Sequence, residues 1–156
     1  PLIDRDQIVK RQDAVQAIAR DTMLRASLQE TLQEISDLER LCSRVVYGSA
    51  NPRGLASLSA SLGKLPALKG ILGTTQHPVL TAIGSRLDLL EDIHSLLGKA
   101  IVDDPPISVR EGGIIRPGYS KELDELRELS KGGKEWIARL EQTEREKTGI
   151  KSLPAE

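Results

Sequence analysis

The stretch Ser120–Thr148, SKELDELRELSKGGKEWIARLEQTEREKT, constrains this chain more than any other. It predicts one long helix. Ser120 can cap its start by accepting a backbone N–H, Glu122 and Asp124 complement the positive end of the helix dipole, and Lys147 complements the negative end. At 100° per residue Leu123, Leu126, Leu129, Gly133, Trp136, Ile137 and Leu140 fall on one face, a stripe that needs a partner to cover it. Beyond Leu140 the same face carries Glu144 and Lys147, so the last turns have nothing apolar to bury. The pairs Glu135/Arg139 and Glu141/Arg145 have the spacing that supports an exposed helix. The expectation is an arm, residues 120–149, packed at its base and protruding at its tip. Gly132-Gly133 within it costs about 1 kcal/mol per glycine relative to Ala, which points to close approach of a neighbouring helix or, more sharply, to a bending point.

Upstream of the arm the chain must build its core almost without aromatics, since 156 residues contain no Phe, one Trp and two Tyr. Leu, Ile, Val and Ala at helical spacing favour helix on helix over a sandwich of strands, so the fold class is all-α, a multi-helix bundle. Asp4, with Gln7 three residues on, opens a first helix, and Thr22 to about Glu34 forms a second. Ser36 can cap a third, running to Gly48; no Pro or Gly separates these three, which could equally be one continuous helix. Asn51-Pro52 starts the next, because Asn caps and Pro at the first position gives up an N–H that has no partner there. Pro66 ends or kinks it, His77-Pro78 opens a short helix to about Ser85, and Leu87–Ile101 forms another. Residues 1–102 are thus a helical body. In residues 103–119, Pro105-Pro106 and Gly112-Gly113 interrupt helix, and the flanking ISVR and IIR predict a small β-hairpin.

Several chemistries find no support. The Gly-Lys pairs at Gly63, Gly98 and Gly133 lack the upstream glycine and following hydroxyl of a phosphate-binding loop. His77 and His94 have no second ligand at metal spacing and read as surface or cap residues. Asp103-Asp104 reads as a cap or turn rather than a proton-sharing pair. No catalytic, cofactor or metal residue is assigned. Cys42, the single cysteine, reads as inert and partly buried. With 22 basic and 23 acidic residues there is no global field for nucleic acid, and no apolar run or leader pattern points to a membrane, so a soluble, cytoplasmic domain is expected.

Four stretches together carry a resemblance. Asp37-Leu38-Glu39-Arg40-Leu41, with Arg44, Gly48 and Ala50-Asn51-Pro52-Arg53, resembles the D-L-E-R-L…R…G…A-N-P-R signature of the bacterial MutS mismatch-repair family. AIVDDPP from Ala100, REGGIIRPG from Arg110 and EREKTGIKSL from Glu144 are similar to runs that follow there in the same order. The resemblance covers residues 1–153 and implies the core, or lever, domain: a helical piece joining mismatch-reading and connector domains to an ATPase, whose long helices carry a DNA clamp. It makes Asp37, Glu39, Arg40, Arg44, Asn51, Pro52 and Arg53 a structural signature. Separately, Arg53 is expected to brace a neighbouring helix rather than contact DNA, through a carboxylate such as Glu39.

It also implies partners beyond the chain: connector, clamp and ATPase domains, mismatched duplex DNA, a second copy of the parent protein, and ATP with magnesium at the parent's ATPase. The family's clamp strands begin just after a K-S-L like Lys151–Leu153, whereas here Pro154-Ala155-Glu156 follows, so residues 154–156 read as a tail or as the edge of a missing clamp segment. Near the arm's tip Arg139, Arg145, Lys147 and Lys151 are candidates for weak contact with a DNA backbone. Two functions stand side by side: a mechanical lever without chemistry of its own, which couples ATPase state to DNA grip, and a stand-alone module that binds a partner helix along the stripe.

Overall fold

The structure is a computed structural model that describes residues 2–148, except for the side chains at 134, 135 and 148. The elements run α1 (Arg5–Arg20), α2 (Thr22–Gln33), α3 (Leu38–Val46), α4 (Pro52–Leu62), α5 (Leu65–Thr74), α6 (Pro78–Arg86), α7 (Glu91–Ala100) and α8 (Lys121–Thr148), with a 3₁₀ turn at Val109–Glu111. The all-α expectation holds. The chain divides into two compact units, Pro1–Arg116 and Pro117–Glu156.

Short polar caps decide where the helices of the first unit begin and end. Asp4 Oδ1 accepts from the N–H groups of Asp6 and Gln7 to start α1, and Asp21 Oδ1 accepts from Leu24 to start α2. A continuous first helix is therefore excluded, because Asp21 takes an extended conformation to cap α2. Asp37 rather than Ser36 caps α3, accepting from Arg40 N–H at 2.9 Å. Ser36 has another partner. Its N–H donates to the Oγ of Ser61, a side chain with no exposure that itself donates to Ser57 O at 2.8 Å.

Two leucine clusters fill this unit. Ala14, Leu28, Leu72 and Leu80 join α1, α2, α5 and α6, with Ile18, Leu24 and Leu68 packed against them. Leu41, Leu58, Leu62 and Leu65 join α3, α4 and the start of α5, with Leu87, Leu89 and Leu97 packed beside them. Pro66 falls in the first turn of α5, where its missing N–H removes no helical bond, so it opens a helix rather than kinking one. An ion pair between Lys64 and Glu34 ties the start of α5 to the end of α2.

Two expectations fail for local reasons. The helix after Ser85 begins at Glu91, not Leu87: Asp88 Oδ1 accepts Leu90 N–H, Lys69 Nζ donates to Leu87 O, and Leu90 sits at φ 49°, a left-handed conformation uncommon for leucine. Leu87 and Leu89 still reach the core, but from an extended segment. The hairpin in residues 103–119 is not formed. Ser108 and Glu111 close a capping box around the 3₁₀ turn, which overrides the β-branched character of ISVR. IIR pairs instead with the end of α7, through one isolated antiparallel bridge between Ile101 and Ile115.

Candidate functional site

Most of the signature residues shape the ends of α3 and α4. Asp37 starts α3, and Arg44 O accepts Ser49 N–H at 2.9 Å as the chain turns beyond it. Asn51 Oδ1 then accepts Gly54 N–H at 2.7 Å, and Pro52 is buried as the first residue of α4. A Cβ at residue 54 would lie 2.9 Å from Asn51 Oδ1, so the cap and the glycine belong together. Arg53 Nε donates to Pro105 O at 3.1 Å, across 52 positions of sequence. Its partner is thus a loop carbonyl rather than Glu39, and Pro105 is among the most deeply buried residues of the chain. Glu39 and Arg40 are exposed.

A second junction was not anticipated. Arg116 donates from Nη2 to Asp103 Oδ1 at 2.8 Å and to Ile101 O at 3.0 Å, and from Nη1 to Asp103 Oδ2 at 3.4 Å. This two-pronged hydrogen bond, together with the guanidinium charge, holds the Asp103 carboxyl below its usual value and raises Arg116 in turn. Asp103 therefore anchors an arginine instead of capping a helix. Only the D-D-P-P and R-P-G motifs marked the two positions; the pairing itself needed the bridge between residues 101 and 115.

In the second unit, Ser120 Oγ accepts Leu123 N–H at 3.3 Å and α8 runs unbroken for 28 residues, roughly 42 Å at 1.5 Å per residue. Its apolar stripe is open: Leu126, Leu129, Trp136, Ile137 and Leu140 keep between 45% and 72% of their surface exposed. Trp136, on the face that needs a partner, is among them. A Cβ at Gly132 or Gly133 would meet nothing within 4 Å, so close approach by a neighbouring helix does not explain the pair in this chain. Of the tip cations, Arg145 is engaged by Glu141 and Lys147 by Glu144, while the Arg139 carbonyl accepts the Thr143 hydroxyl. Lys151 lies outside the described residues. Cys42, expected to be partly buried, is exposed.

Residues 1–153 match the family described as MutS domain III. This chain belongs to the MutS family. The DNA mismatch repair protein MutS of Brevibacillus brevis is 50% identical over 153 residues, which cover 98% of this chain and 18% of that protein. Those of Halothermothrix orenii and Bacillus licheniformis are 49% and 46% identical over the same length. The chain thus spans less than a fifth of the curated relatives it matches, as a helical domain and not the ATPase. Every signature residue lies inside the matched span. Among the described residues no group of three or more His, Cys, Asp or Glu could hold a metal, and no helix is long and apolar enough to cross a membrane.

Proposed function

We propose that this domain is the lever of a mismatch-repair ATPase, a mechanical part that transmits nucleotide state to DNA grip through rigid helices. The observation that carries the reading is α8 itself: one uninterrupted helix of 28 residues, its polar face laced by ion pairs at three- and four-residue spacing. Such a rod conveys displacement without needing a reactive group. Membership of the MutS family supports a place between connector, clamp and ATPase domains of a dimeric parent, with ATP and mismatched duplex bound elsewhere in it. The domain by itself binds no cofactor and does its work as a cytoplasmic repair component.

Because Arg145 and Lys147 are already engaged by glutamates, the tip is a poor phosphate clasp. Duplex DNA should bind the isolated chain no better than about 10⁻⁴ M at physiological salt, with no preference for a mispair. The decisive experiment uses the whole parent protein with Gly132→Pro, which breaks α8 in its middle. Mismatch binding and ATP hydrolysis should each persist, while ATP no longer drives release from the mismatch. Unchanged ATP-driven release would remove the lever reading and favour the alternative, a module that docks a partner helix on the exposed stripe.

A further inference from the structure

Leu90 is the one non-glycine residue with positive φ among the described residues, at φ 49° and ψ 44°. A Cβ crowds the following carbonyl in that conformation, so it is held against a cost. The helix it precedes gains no cap in return, because α7 starts at Glu91 with no side-chain bond to its first N–H groups. Yet the sequence offers one. Asp88-Leu89-Leu90-Glu91 has the form of a capping box, a short acceptor followed three residues later by Glu, ahead of the apolar positions of α7. With Asp88 as the cap, the helix would begin at Leu89 and Leu90 would take ordinary right-handed angles. Asp88 is already poised for that form. Its Oδ1 accepts Leu90 N–H at 3.0 Å, the bond an N-cap makes to the second residue of its helix.

The groups that hold the observed form lie mostly outside the segment. Lys69 Nζ, from α5, donates to Leu87 O at 2.8 Å, and Leu87 N–H donates to Gly84 O at 3.3 Å at the end of α6. Leu87 and Leu89 pack against the cluster of Leu41, Leu58, Leu62 and Leu65, while Leu90 keeps 40% of its surface exposed. In the longer helix these roles change. Leu90 stands seven positions before Leu97, two helical turns and therefore the same face, and Leu97 already packs against that cluster.

We propose that residues 88–91 are a two-state switch inside the first unit. In the strap form, which is the one observed, Leu89 packs on the cluster and Leu90 is strained and exposed. In the helix form α7 gains Leu89 and Leu90 at its start, Asp88 and Glu91 close the box, and Leu90 takes the place of Leu89 against the cluster. Lys69 is a positioning residue that biases the segment towards the strap. Helical residues advance about 1.5 Å each against about 3.3 Å in extended chain, so the exchange also shortens the connection between α6 and α7. Because α6 carries Leu80 of one leucine cluster and α7 carries Leu97 beside the other, the switch links the state of one backbone segment to the spacing of the two. It rests on the geometry of the first unit alone and does not depend on the lever reading.

Relaxation dispersion on the isotope-labelled chain is the test, since it reads the population and the chemical shifts of a minor state exchanging in microseconds to milliseconds. Exchange should be confined to residues 87–93, and the minor-state Cα shifts of Leu89 and Leu90 should be those of helix. Leu90→Gly should lower the minor population about tenfold, because glycine takes left-handed angles freely and weakens a helix. Lys69→Met removes the donor from Leu87 O and should raise the population about tenfold. Glu91→Ala should lower it, because only the helix form uses that carboxylate in a box. Flat profiles in the parent and in Lys69→Met alike would overturn the switch. Random-coil shifts in the minor state would overturn it too, as they mean local unfolding rather than helix. So would Leu90→Gly and Lys69→Met moving the population in the same direction. Should Lys69→Met not fold, Leu90→Gly and the exposed Glu91→Ala decide the matter, and exchange in both equal to that of the parent would overturn the switch. None of these outcomes touches ATP-driven release in the parent protein, so the switch and the lever fail separately.

Discussion

The first unit and α8 carry the same kind of leucine pattern and put it to opposite use. In residues 2–116, leucines recurring at three and four positions converge on two clusters, and Leu62 retains only 3% of its surface. On α8 the identical spacing leaves Leu129 with 72%. Periodicity thus specifies a face, and only a partner turns that face into a core. The helices of the first unit are short and depend on packing; α8 is long and is helped instead by caps, propensity and ion pairs along its own surface.

The widest contrast is the truncation of one leucine in each unit. Leu62→Ala should destabilise the chain by about 2–5 kcal/mol, because it opens a void between α4 and its neighbours. Leu129→Ala should cost under about 0.5 kcal/mol, as an exposed substitution, and Trp136→Ala should be similarly mild. Chemical denaturation of the two leucine variants measures this. Similar losses would show that the α8 stripe is covered in solution, by a second copy of the chain for instance.

The next effect belongs to α8. Gly132 and Gly133 have open space where a Cβ would go, so nothing offsets their helix penalty within this chain. Replacing both with Ala should stabilise α8 by about 1 kcal/mol per residue. Since that helix has no core to share the gain, it should appear as slower amide exchange along α8, with amides of the two leucine clusters unaffected. No change in exchange would mean the helix is already held by something other than its own propensity.

Legibility in the sequence divides along the same line. Helix starts were legible wherever a short polar side chain stands beside the helix it caps, as Asp4, Asn51 and Ser120 do. Ser36 misled because Asp37 is the better cap in the neighbouring position, and because the use of Ser36 N–H depends on Ser61, 25 residues away. ISVR reads as strand by propensity, yet the local Ser108–Glu111 box fixes a 3₁₀ turn and the other half of the presumed hairpin pairs with Ile101. Leu87 and Leu89 were expected in a helix but pack from an extended segment, since Asp88 and Lys69 satisfy backbone groups that a helix would have used. The Asn51 cap and the Pro52 helix start were legible in sequence; the carbonyl that Arg53 meets and the arginine that Asp103 holds were not. Both are contacts between distant segments, and no periodicity encodes them.

Caps sharpen the comparison further, because the same device should act on different scales in the two units. Asn51→Ala removes a 2.7 Å bond at the start of a helix that feeds the second leucine cluster, and should lower global stability by about 1 kcal/mol. Ser120→Ala removes the 3.3 Å bond that starts α8. It should speed exchange in the first turn of α8 and leave the thermal midpoint of the first unit where it was. A shared shift in both readouts would show that the two units unfold together.

The smallest expected effect is a dependence on pH, and it too separates the units. The ion pairs of α8 join residues three or four apart on one helix, whereas Asp103 and Arg116 lie 13 apart and close the end of the first unit. The bidentate bond and positive charge of Arg116 depress the Asp103 carboxyl in the folded chain. A depressed carboxyl contributes stability that is present above its unfolded value, near pH 3.9 or so, and is lost as pH falls through the lower folded value. Below about pH 4 the parent should therefore lose stability more steeply than Asp103→Asn, which has no carboxylate to protonate. Because the Asp103 side chain is largely exposed, added salt should shrink the difference. Urea midpoints of the two proteins across this acid range supply the measurement, and parallel curves would mean that the pair positions Arg116 without contributing to stability.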